Sequence, residues 1–317
     1  MAQVANTFQT YQAIGIREQL ADLISNISPV DVPFQNSIGK ATAENTKFEW
    51  QTDALAAVNT ANVQIEGDDI SSYEAVTATV RLNNYCQISR KTVIIAGTQE
   101  VVNKAGRKSE LAYQITKKTK ELKRDIEGLL MTNFASSAGT ASTARQSAGL
   151  RAWLKTNTDL GASGVNGGFG TTLVTVATDG TQRALSETSL KNVIRQCFAS
   201  GGEPNMISVG PFNKQVISGF TGNSTRFQDT SDGTLSTALD VYKSDFGVLK
   251  VVPNRFQRER DCFVLETDKF KVAYLRPVQL KELATTGDAA KRMLIAEYGL
   301  MSLNDAASGV VADLTTT

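Results

Sequence analysis

The chain has 317 residues, 41% hydrophobic and 21% charged, and its 33 Lys and Arg against 32 Asp and Glu leave a net charge of +1. That length supports a full hydrophobic core and room for two domains, while the near-neutral balance excludes an overall electrostatic drive toward nucleic acid or anionic membrane. Histidine is absent, and Cys86, Cys197 and Cys262 stand far apart, which excludes His-based nucleophile pairs and metal sites and leaves neither a disulfide framework nor a CxxC site.

No run of about 18 apolar residues occurs, so no membrane helix is expected. Residues 1–30 lack the basic start and apolar centre of a secretion signal. Residues 1–45 read as an arm. Ile16, Leu20, Leu23, Ile24 and Ile27 form one stripe of a short helix stopped by Pro29, and a helix of that length is marginal alone. The arm is therefore expected to dock on something, across a subunit boundary if the chain assembles.

From residue 46 the period changes to two. Phe48 and Trp50 alternate with Lys47, Glu49 and Gln51, and a second alternating run sets Val76, Ala78, Val80 and Leu82 against Thr77, Thr79 and Arg81. These runs predict two strands joined by a long, reaching connection whose tip is Glu66-Gly67-Asp68-Asp69, and long connections without their own core serve a function or a partner. Charge is unevenly spread here. Residues 41–80 carry seven acids and one base, and residues 81–124 carry eleven bases and three acids, giving −6 followed by +8.

A short helix is expected from Gly97 and ends at Gly106. Residues 109–135 then predict the longest element, a helix of about 40 Å at ~1.5 Å per residue. Leu111, Ile115, Leu122, Ile126 and Leu129 form its apolar stripe, widened by Ala112, Leu130 and Phe134. Lys117, Lys120, Lys123, Arg124 and Glu127 sit opposite. Ser109 is the expected cap, Lys117/Glu121 and Lys123/Glu127 are the expected ion pairs, and Gly128 marks either a close backbone approach or a tolerated helix breaker.

The segment 148–154 (AGLRAWL) is expected to bury Trp153. The glycine-rich stretch 161–170 lacks both a following GK[ST] and GxGxxG spacing, so it reads as a flexible linker rather than a phosphate loop. A second unit starts near Ser186 with a helix whose core face is Leu190, Val193, Ile194, Cys197 and Phe198. It continues with a buried strand at 206–209, a helix from Pro211, an exposed loop at 221–236, and strands at 248–252 and 262–265. The charged run 255–261 between those strands reads as a solvated turn. Residues 270–283 and 291–303 flank a turn and form a last long hairpin with one wet face, and 313–317 reads as a fraying end. No catalytic constellation, RNP motif or zinc finger emerges, and no cofactor or metal is expected.

Several stretches carry a family likeness: GTQEVVNKAGRKSELAYQ (97–114), KELKRDIE (120–127), AGLRAWL (148–154), SDFGVLKVVPNRF (244–256), YLRPVQLKELATTGD (274–288) and AEYGLMSLNDAASG (296–309). They resemble tailed-phage major head proteins, in the branch found in podovirus-like phages and prophages, over most of the chain from residue 50 onward. The resemblance implies an α+β, Hong Kong 97-type capsid fold: an N-terminal arm (1–45), an extended loop hairpin (46–90), a peripheral domain with the spine helix 109–135 (91–185), an axial domain (186–265), and returning strands of the peripheral domain with the C-terminus (266–317). It departs from the family in starting directly with the arm, with no long scaffolding segment before it, and in showing no mark of the covalent cross-linking found in one branch.

The implied function is structural: self-assembly into the pentamers and hexamers of an icosahedral head around double-stranded DNA. A bacterial nanocompartment shell of the same fold is the alternative. Implied partners are further copies of the chain, scaffolding and portal proteins, a decoration protein and non-specifically bound DNA, with assembly in the host cytoplasm and no membrane. By itself the charge split fits solvated faces or pairing within one chain as well as a contact between copies; the resemblance, to a fold that lays its extended loop over the next subunit, implies the contact, with Glu66, Asp68 and Asp69 of one copy lying near Arg107, Lys108, Lys117, Lys120 or Arg124 of the next.

Overall fold

A computed structural model describes residues 31–67, 69–70, 73–103, 106–220 and 240–317. The helix expected at 16–27, the loop at 221–236 and Asp68 lie outside the described residues.

In chain order the elements begin with α1 (Pro33–Ser37), β1 (Gly39–Thr42), β2 (Lys47–Thr52), β3 (Val80–Tyr85), β4 (Gln87–Ala96), α2 (Gly97–Val101) and α3 (Glu110–Leu130). There follow α4 (Leu150–Trp153), β5 (Asn157–Asp159), β6 (Gly168–Phe169), β7 (Val174–Thr175), α5 (Glu187–Ala199), β8 (Met206–Val209) and α6 (Pro211–Ser218). The chain closes with β9 (Val241–Ser244), β10 (Gly247–Pro253), β11 (Cys262–Leu265), β12 (Phe270–Glu282), β13 (Ala289–Ser302) and β14 (Gly309–Val311).

Two sheets organise these elements. The first has the order β1-β12-β13-β4, and α3 packs on β4 and β13. Leu122, Ile126 and Leu130 of the helix enter one core with Phe270, Val272, Leu294, Ala296, Tyr298 and Leu300 of the sheet and with Trp153 and Leu154 after the helix. The second sheet has the order β5-β14-β11-β8-β10-β9. α5 covers its β5–β14 side and α6 packs on β10, burying Leu190, Val193, Ile194, Cys197 and Ile217 against Ile207, Val209, Val251 and Val264. Helices segregated against mixed sheets make the chain α+β.

Tertiary packing overrides several local expectations. The long helix ends at Leu130, about 30 Å long at ~1.5 Å per residue, and not at Ala135. Beyond it the backbone leaves the helical path for other partners: Asn133 exchanges hydrogen bonds with Ala177, Gly149 N–H donates to the Phe134 carbonyl and Ser136 N–H to the Val174 carbonyl. Phe134 consequently faces solvent rather than widening the stripe. α2 stops at Val101, short of Gly106. The second hairpin strand begins at Val80 rather than Val76. Phe198 projects outward from α5 and meets the ring of Phe246 at 4.9 Å.

The stretch 161–170 is not a flexible linker. A Cβ on Gly161 would lie 2.1 Å from the Thr181 carbonyl, so its glycine serves close approach. The run 255–261 is not a hairpin turn either, because β8 lies between β10 and β11 and Asp261 is buried. The last hairpin is wet only at its far end. Leu294 to Leu300 are all buried because Phe48, Cys86 and Ala43 cover the second face at Ala273. Nor does the C-terminus fray at 313. β14 is an interior strand of the second sheet, and Asp313 and Leu314 are fully buried. Both β5 and β14 therefore complete a sheet expected from residues 186–265 alone.

Candidate assembly surface and the joint behind it

β2 and β3 pair in antiparallel register from Lys47↔Tyr85 to Thr52↔Val80. The root of this ribbon is fixed by aromatic contacts. The Trp50 ring lies 5.7 Å from Phe48 and 5.5 Å from Trp153, which in turn stacks on Phe169 at 6.1 Å. Trp50 Nε1 donates to the Ser302 carbonyl at 2.9 Å. Glu49 takes Lys47 at 2.6 Å and Arg81 at 3.5 Å, and those ion pairs hold its carboxyl below the ordinary value. One acid of the negative stretch and one base of the positive stretch thus pair within the chain.

Ladder pairing stops at Thr52 and Val80. The described residues between them are exposed, including Glu66 and Asp69 and the large apolar side chains Leu55 (99% exposed), Val58, Val63, Ile65, Ile70, Tyr73 and Val76 (97% exposed).

On the basic side the expected residues separate into two groups. Lys108, Lys117 and Lys120 are exposed, and among the described residues no ion pair joins them, or Glu66 or Asp69, to an opposite charge. Arg107 and Arg124 are engaged within the chain. Arg107 pairs with Glu110 and lies 5.5 Å from the Tyr113 ring, and half-buried Arg124 lies over the Phe256 ring at 5.6 Å. The acidic tip and the basic helix face therefore do not neutralise each other within one copy. Around the helix start, Ser109 Oγ accepts from Ala112 N–H at 3.2 Å as expected, and Glu100 adds a second cap by accepting from Glu110 and Leu111 N–H at 3.0 and 3.2 Å. A carboxylate there also complements the helix dipole.

Neither expected ion pair on this helix forms. Glu121 takes Lys118 at 2.7 Å instead of Lys117. Glu127 turns inward and is fully buried. Its carboxylate accepts from Phe34 and Gln35 N–H, each at 2.8 Å, and from Asn254 Nδ2 at 2.7 Å. Pro33 opens α1 and leaves those two N–H groups without helical partners, so one side chain of the long helix joins the end of the arm to the loop after β10. A Cβ on Gly128, one residue on, would stand 3.6 Å from the Phe256 carbonyl, an ordinary contact, so this glycine is tolerated in the helix rather than required by a close approach. Burial pushes the Glu127 carboxyl above its ordinary value, and the three hydrogen bonds act against that rise. Helical spacing alone did not single out Glu127; the unpaired N–H groups after Pro33 were the available signal.

A second buried joint lies below α4. Arg151 and Asp261, both 1% exposed, face each other at 3.8 Å, and Arg258 approaches the other Asp261 oxygen at 3.6 Å. Arg258 and Arg260 share Asp179 at 2.7 and 3.3 Å, and Arg260 reaches Asp313 at 2.9 Å. Asp313 further accepts from Gly161 and Gly180 N–H at 3.1 and 2.8 Å. Burial pushes the Asp261 carboxyl up to about 6, opposed by Arg258 and Arg151. Arg258 and Arg260 are thus committed to the chain's own carboxylates. Burial likewise raises the Cys86 thiol to about 11 and those of Cys197 and Cys262 to about 12, which suits packed thiols rather than nucleophiles. Among the described residues no cluster of metal-ligating side chains forms, and no helix is long and apolar enough to cross a membrane.

Comparison with known proteins gives this geometry a family. The profile of the SU10 major capsid protein family matches residues 3–315. The major capsid protein of Escherichia phage Phieco32 is 27% identical over 341 residues, covering 96% of each chain. Among solved structures, a chain of the cyanophage A-1(L) capsid asymmetric unit superposes with a TM-score of 0.68 at 15% identity, covering 97% of this chain and 99% of that one. A subunit from the capsid of a native GTA particle gives 0.62 at 11% identity, covering 96% and 98%. These neighbours share the Hong Kong 97-type capsid fold, and the family match favours the capsid role over the nanocompartment alternative. The chain belongs to the SU10 major capsid protein family.

Proposed function

We propose that the chain builds the pentamers and hexamers of an icosahedral head that encloses double-stranded DNA, assembling in the host cytoplasm with scaffolding and portal proteins and accepting a decoration protein outside. The family match over nearly the whole chain supports the capsid role. The described residues of 53–79, all exposed, support self-assembly, because a lone subunit rarely leaves so many apolar side chains in water.

Within that shell the acidic hairpin of one copy lies on the basic helix of the next. Glu66, Asp68 and Asp69 are the acidic side. Lys108, Lys117 and Lys120 are the basic residues best placed to answer, being exposed and unpaired, whereas Arg107 and Arg124 are already engaged. Each exposed pair contributes only about 0–1 kcal/mol, so their effect comes from repetition around the shell. The N-terminal arm, residues 1–45, crosses a subunit boundary, and deletion of residues 1–28 is expected to leave soluble protein that forms no regular shells.

Size-exclusion chromatography with negative-stain microscopy of the expressed chain tests the assignment. Capsomers or hollow shells support it, and a monomer or dimer in all assembly conditions contradicts it. A triple Glu66/Asp68/Asp69→Ala variant that assembles as well as the parent would remove the charge contact from the account.

A further inference from the structure

The two faces of the first sheet are covered unequally. On one face Leu294, Tyr298 and Leu300 of β13 enter the core under α3. On the other, the hairpin root covers only one end, where Phe48 and Cys86 meet Ala273. Farther along that second face β4 presents Ile88, Arg90, Thr92 and Ile94, all exposed, Ile94 at 64% and Ile88 at 50%. Register sets Arg90 beside Ile295 of β13 and then Gln279 of β12, Thr92 beside Met293 and then Lys281, and Ile94 beside Lys291. With neighbouring strands ~4.8 Å apart and alternate residues ~6.8 Å apart, these positions form one patch about 10 Å across and about 14 Å long.

Its charge is one-sided. Glu297, at the inner edge, is buried and held by Arg145 and by Arg276 at 2.8 Å. Arg90 and Lys281 are exposed, and among the described residues no ion pair joins them or Lys291 to an acid. We propose that this patch docks an accessory head protein, rather than a further copy of the chain, and that the partner presents carboxylates around apolar side chains. This rests on the reading that the hairpin docks on the neighbouring copy's α3, because α3 lies on the reverse of the sheet and that contact leaves the patch open. Carboxylates answer Arg90, Lys281 and Lys291, while apolar side chains cover Ile88 and Ile94. Phosphates of duplex DNA would answer only the cations and leave both isoleucines unburied. Apolar side chains set among Arg and Met are the make-up of a protein interface core.

A photo-cross-linker at the centre of the patch reads the partner. Heads carrying Thr92→p-benzoylphenylalanine, purified from cells producing the whole virion and irradiated, give a cross-link to a different head protein through a segment rich in Asp or Glu. Arg90→Glu with Lys281→Glu cuts that cross-link by about tenfold or more and leaves subunit melting unchanged. A cross-link to DNA, to a segment without acids, or to no partner overturns the proposal, as does one that survives the charge reversal. A cross-link to residues 53–79 of another copy overturns both the proposal and the placing of the hairpin on α3; one to any other part of another copy overturns the proposal alone. Should the charge reversal abolish heads, Lys in place of the partner's mapped acids restores them, and no restoration overturns the proposal. Should the Thr92 variant form no heads, composition decides: heads of the charge-reversed chain lack a protein that parent heads carry, and unchanged composition overturns the proposal.

Discussion

The hairpin arm and the joint at Glu127 both hold acidic residues beside apolar ones, yet they solve opposite problems. At the joint every polar atom of Glu127 has its partner inside the chain, and three segments distant in sequence meet on one carboxylate. In the arm no described acid between residues 53 and 79 forms an ion pair within the chain, and the apolar side chains of the described residues stay exposed. Buried polar networks fix one structure because an unpaired member is costly, whereas an exposed segment with unfilled contacts is suited to a partner. The subunit is thus rigid where the arm end, helix and second sheet meet, and open where copies are proposed to meet.

Variants at the two regions should therefore separate stability from assembly. The largest loss is expected at the buried ion cluster. Asp261→Ala strands Arg151 and should lower the unfolding free energy of the unassembled subunit by about 3–5 kcal/mol, read by urea denaturation; the Arg151→Met/Asp261→Leu double variant should recover part of it. Glu127→Ala leaves two backbone N–H groups and Asn254 unpaired and should cost about 3 kcal/mol. Equal, small effects at both positions would dissolve the distinction between the regions.

The same cluster predicts the pH response. Asp261 has its carboxyl raised from 3.8 to about 6 in the folded chain, and Glu127 is also raised. The folded state then binds these protons more tightly than the unfolded state, so their contribution is most favourable at low pH and is lost as pH rises through the window from about 4 to 6. Melting of the unassembled subunit across that window should show the decline, flattened in Asp261→Asn. The smallest stability effect is expected in the arm: Val58→Ser/Val76→Ser should change subunit stability by less than about 0.5 kcal/mol while reducing shell yield.

Sequence reasoning reached the long helix, its Ser109 cap, the two strands at the hairpin root and the final hairpin, because each has a regular period or a local cap. It missed what depends on distant partners. Glu127 was placed opposite the apolar stripe by spacing and instead turns inward to meet N–H groups about 90 residues away. Arg258 and Arg260 looked solvated until the C-terminal Asp313 and the loop Asp179 came beside them. β5 and β14 are too short to announce a strand and are set by pairing in the second sheet. The family resemblance, by contrast, was legible because whole motifs, not single residues, carried it.

Hydrogen exchange of residues 53–79, measured in unassembled subunits and in shells of the same protein, tests the central claim most directly. The account predicts fast exchange in the subunit and clear protection in the shell, with the Glu127 joint protected in both. Equally fast exchange of the arm in subunit and shell would contradict it.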